Sequence, residues 1–234
     1  MPTYFDLHIH TTAYSGCSNM TPDQMAMAAK DAGLDGVCIT EHNRLWNRHD
    51  TEALARKHGI TILCGMEITT TGGDILAFGL EQEPRQMWTS EEADRSGKSG
   101  WPDIADKPQY PLTPAFLKSK VEAVGGLAIA AHPFRRFLVF GFGELPMNLE
   151  EAMSNPTFSH VHGLEVWNSM STRQENDLAL RVAEALGCVK FGGSDAHSTA
   201  AVGSCVTVFE DVITDELELV SALRSGRFKL ERRK

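Results

Sequence analysis

Short β-branched or apolar runs alternate with helical patterns along nearly the whole chain, and no other feature restricts its fold as strongly. Strand-like runs fall at about 4–10, 36–40, 61–68, 74–80, 127–132, 163–168, 188–192 and 205–209. Thr21-Pro22-Asp23-Gln24 has the form of a capping box with proline at the first helical position, and Thr113-Pro114 opens another helix. Further helical patterns cover 49–58, 172–186 and 214–225. Repeated β-α units predict an α/β fold, and eight short strands in 234 residues favour one closed barrel over an open doubly wound sheet. Either architecture puts the chemistry at the C-terminal ends of the strands. Residues 83–112 carry no periodic pattern and are expected to form a long loop insertion.

Those strand ends share one property. The first closes with Asp6-Leu7-His8-Ile9-His10, where residues two apart lie on one face, so both imidazoles can reach one metal ion. The second closes with Thr40-Glu41-His42-Asn43, the third with Gly65-Met66-Glu67, the fifth with Ala131-His132-Pro133 and the seventh with Gly193-Ser194-Asp195-Ala196-His197. Each sets an imidazole or a carboxylate where strand gives way to loop. A second His-x-His, His160-Val161-His162, precedes Gly163 at the entrance of its strand, the end that usually serves stability. Beyond His132, the run Pro133-Phe134-Arg135-Arg136 brings two guanidiniums whose planar forks match phosphate oxygens, with Arg95 and Lys98 as weaker candidates. Glu41 and Asp6 are expected to orient imidazoles, and Glu165 and Asn168 to line the cleft.

The net charge of -9 argues against a nucleic-acid track. It does not argue against a small phosphoester, because divalent ions held by a few of the 31 acidic residues would make the cleft cationic. No leader-like or membrane-spanning run is present, so a cytoplasmic location is expected. Cys17, Cys38, Cys64, Cys188 and Cys205 are odd in number and scattered, which suits reduced thiols rather than disulfides.

Taken in order, the motifs Asp-Leu-His-Ile-His, Thr-Glu-His-Asn, Gly-Met-Glu, Ala-His-Pro-Phe and Gly-Ser-Asp-Ala-His resemble those of the PHP (polymerase and histidinol phosphatase) family of metal-dependent phosphoesterases. The resemblance spans positions 6–197 and implies a single-domain, distorted (β/α)7-type TIM-like barrel over residues 1–234. It also implies two or three divalent ions, zinc, manganese or iron. His8, His10, Glu67 and Asp195 correspond to the ligands of a first ion. Glu67 would bridge to a second ion shared with His132, and His42 with His197 would hold a third. Two positions depart from the family pattern. Asp74 stands where a further histidine is common, and Ser15 or Cys17 where the third ion commonly takes an Asp or His.

The implied reaction is hydrolysis of a small phosphomonoester or nucleotide, with hydroxide generated on a metal ion whose water has a lowered pKa. His8, His10, Glu67 and Asp195 would carry the chemistry, and Arg135 and Arg136 would grip the phosphate. The same cluster suits a nuclease or phosphodiesterase acting on oligonucleotide ends, and an eroded cluster would suit a non-catalytic regulatory domain. Amidohydrolases share the first His-x-His but usually carry a bridging lysine, and Lys190 lies inside a strand rather than at its end.

Overall fold

In the computed structural model, which describes residues 1–83, 112–135 and 148–233, nine strands among the described residues form one sheet. The chain runs β1 (Thr3–Ile9), α1 (Pro22–Asp31), β2 (Gly36–Ile39), α2 (Arg48–His58), β3 (Thr61–Thr70), β4 (Gly73–Phe78) and α3 (Pro114–Ala123). It continues through β5 (Leu127–Ala130), α4 (Leu149–Met153), a 3-10 turn (Pro156–His160), β6 (Gly163–Asn168) and α5 (Arg173–Leu186). The remainder is β7 (Val189–Gly193), β8 (Cys205–Phe209), α6 (Glu216–Ser225) and β9 (Phe228–Arg232). Both expected helix starts are present. Thr21 and Gln24 form the reciprocal capping box of α1, and the Thr113 hydroxyl accepts the Phe116 amide of α3.

The strand order is β7-β6-β5-β4-β3-β2-β1-β8-β9. β1, β2 and β3 pair in parallel, as do β5, β6 and β7, which is what crossover helices require. Two departures distort the barrel. β4 returns antiparallel from β3 through the two-residue turn Thr71-Gly72, and β8 and β9 run antiparallel to their neighbours. The ninth strand was not among the expected eight, although Phe228-Lys229-Leu230-Glu231-Arg232 alternates apolar and charged residues as an edge strand does.

The sheet nearly closes on itself. The His10 amide donates to the Ala196 carbonyl at 3.0 Å, and the Ala196 amide returns a bond to His8 at 3.3 Å, tying the end of β7 to β1. Gly193 makes that approach feasible, since a Cβ there would lie 2.4 Å from the His8 Cβ. Phe78 of β4 and Phe191 of β7 meet across the barrel with ring centroids 5.3 Å apart. Both rings are fully buried, each stabilising the closed sheet by about 1.5–3 kcal/mol.

The foot of the barrel explains the second His-x-His. The Ala128 amide donates to His162 Nδ1 at 3.0 Å, while Nε2 lies 3.3 Å from Glu122, so the ring braces β5 against the start of β6. Burial, with Arg224 nearby, lowers the His162 pKa below its usual 6.5. A lowered value in the fold means that the contribution is present above the unfolded pKa and is lost as pH falls through the folded one. His162→Ala is therefore expected to cost about 1 kcal/mol near pH 7.5, and the cost should shrink by pH 5. Thermal unfolding at the two pH values checks this, and an equal cost at both would contradict it.

Candidate metal centre

Four strand ends and one strand start converge at the mouth. His8 and His10 share a face of β1, Glu67 lies within β3, His132 follows β5, and Asp195 and His197 follow β7. His42 comes from the loop after β2. Asp74 joins them because β4 is antiparallel, which places its first residues, and not its last, beside the end of β3, where Asp74 pairs with Thr69. His8, His10, Glu67, Asp74, His132 and Asp195 are buried, whereas the side chains of His42 and His197 are 37% and 27% exposed and mark the open side.

Glu67 is the hub. Its Oε1 lies 2.9 Å from His132 Nε2, and its Oε2 lies 3.0 Å from His42 Nδ1, 3.2 Å from His10 Nε2 and 3.5 Å from His8 Nε2. Asp195 Oδ1 approaches His10 Nε2 at 3.3 Å and His8 Nε2 at 3.5 Å. The atoms fall into four overlapping groups, His8-His10-Glu67, His8-His132-Asp195, Glu67-Asp74-His132 and His10-His42-His197, each with ligand atoms within 4.8 Å of one another. All eight residues expected to ligate are thus brought together, and His10 joins the two exposed histidines expected to hold the third ion.

The donor set fits divalent ions. Glu67 Oε2 and His132 Nδ1 are buried without hydrogen-bond partners, and an orphaned carboxylate oxygen among three imidazole nitrogens is costly unless a cation satisfies it. The mixture of imidazole and carboxylate, with no thiolate in any of the four groups, suits zinc, manganese or iron. The electrostatics agree. Burial disfavours a charged imidazole at His8, but Asp195, Glu165 and Glu67 outweigh it and hold its pKa well above the usual value. Burial likewise opposes ionisation of Glu67 and Asp195, yet His8 and the other imidazoles hold both carboxyls well below the usual range. Asp74 is pushed up by burial and by the nearby Glu67 charge.

Surrounding side chains set ring orientation. Glu165 Oε1 lies 2.8 Å from His8 Nδ1, and its other oxygen accepts the His132 amide at 2.7 Å, so His8 presents Nε2 to the cluster. Glu165 and Asn168 are three apart, which would split them across a regular strand, but a register shift between Glu165 and Trp167 returns both to the site. Ser15 bonds Glu41, lies 3.3 Å from His10 Nδ1 and accepts the His42 amide at 3.2 Å. Glu41 thereby reaches His10 through Ser15, which bridges the two. Cys17 is exposed and belongs to none of the four groups among the described residues.

Asp6 differs from expectation. Its carboxylate accepts the amides of Ser194 at 2.9 Å and Gly203 at 2.8 Å, so it anchors the loop carrying Asp195 and His197 instead of orienting a ring. Arg135 donates to Asp195 Oδ2 and, at 2.7 Å, to Asn168 Oδ1, while its buried Nε has no partner. Arg136, Arg95 and Lys98 lie outside the described residues. Position gave no sign of one further feature. His132 and Asp195 both adopt positive φ, at 29° and 56°, and such conformations store strain of order 1–3 kcal/mol and cluster at functional sites.

Residues 6–138 match the PHP domain family, and residues 173–228 match a family described as PHP-associated. An uncharacterized protein, MJ1587, of Methanocaldococcus jannaschii is 31% identical over 139 residues, which span 55% of this chain and 67% of that protein. A Bifidobacterium adolescentis protein assigned as a metal-dependent phosphoesterase shares the fold with a TM-score of 0.60 at 18% identity, over 95% of this chain and 96% of that one. An amidohydrolase from Chromobacterium violaceum, solved with sulfate and without metal, has a TM-score of 0.63 at 18% identity over 97% of each chain. Among the described residues no helix is long and apolar enough to cross a membrane.

Proposed function

The chain belongs to the PHP domain family, and from that premise we propose that it is a metal-dependent phosphoesterase acting on a small phosphomonoester or nucleotide. One observation carries the reading. Eight ligand-type side chains meet around an orphaned Glu67 oxygen, with a guanidinium at the same mouth. His8, His10, Glu67 and Asp195 would hold one ion, Glu67, Asp74 and His132 a second, and His42 with His197, beside His10, a third. Bound there, zinc, manganese or iron supplies a water of lowered pKa and positive charge against phosphoryl oxygens.

The chain's own residues do the rest. Glu67, Asp74 and Asp195 set three carboxylates beside the Arg135 guanidinium, and two divalent ions held among them would make the mouth attract an anionic substrate. Arg135 is poised to serve twice. One terminal nitrogen steadies Asp195 and Asn168, which holds the guanidinium at the mouth where its other terminal nitrogen would serve as a donor to a phosphoryl oxygen. Glu165 holds the proton on His8 Nδ1, keeping Nε2 available as a ligand. The exposed edges of His42 and His197 mark the side from which substrate enters.

Protein reconstituted with manganese or zinc should release phosphate from a chromogenic monoester, and His8→Ala and Asp195→Asn should not. Activity surviving both substitutions would sink the proposal. Hydrolysis of a diester or an amide in preference to the monoester would move the assignment to the phosphodiesterase or amidohydrolase reading.

A further inference from the structure

The route into the cluster is set by exposure. His8, Glu67, His132 and Asp195 are buried, so a substrate meets His42 and His197 first, and among the described residues the loops after β1, β2 and β7 carry that exposed side. Among the described residues the large apolar side chains that stand exposed are few, and only one of them is aromatic, Tyr14 at 47%, on the loop after β1. It sits one residue before Ser15, which contacts His10 and His42 directly.

Tyr14 is also backed. Its ring meets Trp46, on the loop after β2, edge to face at 5.8 Å and 79°. Trp46 Nε1 donates to Glu41 Oε1 at 3.1 Å, and Glu41 is the buried carboxylate that bonds Ser15. A hydrogen bond to a buried anion fixes the indole plane, and the fixed plane limits the swing of Tyr14, so the exposed ring is prepared before any ligand arrives. The same loops offer little for a second negative charge. In the loop segments 10–21, 40–47 and 194–204 the one Lys or Arg is Arg44, which pairs with Glu83 at 3.3 Å.

We propose that Tyr14, supported by Trp46, is a stacking platform for a planar aromatic group on the leaving side of the substrate. The preferred phosphoesters are then those of nucleosides or other aryl-bearing alcohols rather than of small polyols. The proposal rests on the phosphoesterase reading for its substrate but not for its binding contact, and the test separates the two.

For the metal-loaded protein, the ratio of kcat/KM for adenosine monophosphate to that for glycerol phosphate is measured in wild type, Tyr14→Ala and Tyr14→Phe. Base-on-aromatic stacking predicts that the ratio falls about tenfold in Tyr14→Ala, mainly through KM, and is kept in Tyr14→Phe. An unchanged ratio in Tyr14→Ala overturns the proposal. In parallel, binding of adenosine, which carries no phosphate, is followed by saturation-transfer NMR on wild type and Tyr14→Ala. If neither ester is hydrolysed but adenosine binds wild type and not Tyr14→Ala, the phosphoesterase reading fails and the platform stands. Equal adenosine binding by both proteins, or binding by neither, overturns the platform whatever the esters do.

Discussion

Glu67→Gln is expected to reduce phosphate release on the order of 10³-fold, equivalent to about 4 kcal/mol of transition-state stabilisation, and to lower the number of divalent ions retained. Both oxygens of Glu67 face the cluster, one toward His132 and one toward His42, His10 and His8. Glutamine keeps the length and shape but removes the charge, and it turns an amide N–H₂ toward imidazole nitrogens that must be unprotonated to ligate. Four ring nitrogens then lose the anion that organises them. Metal analysis after gel filtration, together with phosphate release at saturating metal, checks this. Full metal content and activity within tenfold of wild type would show that Glu67 bridges nothing.

Asp6→Ala should produce the largest stability loss of the substitutions considered, about 4 kcal/mol in metal-free protein. The side chain is fully buried, and burial pushes its pKa up to about 6 even though the Ser194, Gly203 and His8 amides favour its charged form. Removing it leaves the amides of Ser194 and Gly203 without their acceptor in the interior, at about 1–3 kcal/mol each, and opens a small cavity. Asp6→Asn keeps one acceptor oxygen and should lose roughly half as much. Urea unfolding of the metal-free proteins measures both, and a loss below 1 kcal/mol for Asp6→Ala would show that the Ser194–Gly203 loop is held by other means.

Residues that act where a strand ends were legible in the sequence, because a strand end is marked by an apolar run, and His8, His10, His42, His132, Asp195 and His197 all stand beside one; Glu67 was read the same way, although β3 continues past it to Thr70. Residues whose place depends on strand direction were harder. Asp74 begins a strand and reaches the mouth only because the Thr71-Gly72 turn reverses β4, which periodicity alone does not reveal. The partners of the imidazoles depend on register. Glu165 faces His8 and shares the site with Asn168 through a bulge, and one-residue irregularities leave no mark in the alternation of side chains. Asp6 shares the His8 and His10 pattern yet bonds backbone amides more than 180 positions later, a contact set by barrel closure at Gly193. The edge strand β9 was the one element with a readable period-two pattern that the strand count left out.

If the convergent side chains form a working metal centre for phosphoester hydrolysis, chelator-stripped protein titrated with manganese, with phosphate release followed at each step, will show it. No release from the stripped protein and full activity by two or three equivalents of metal per chain is the predicted result. Release that persists without metal, or protein that binds the metal yet hydrolyses no phosphoester, would contradict it.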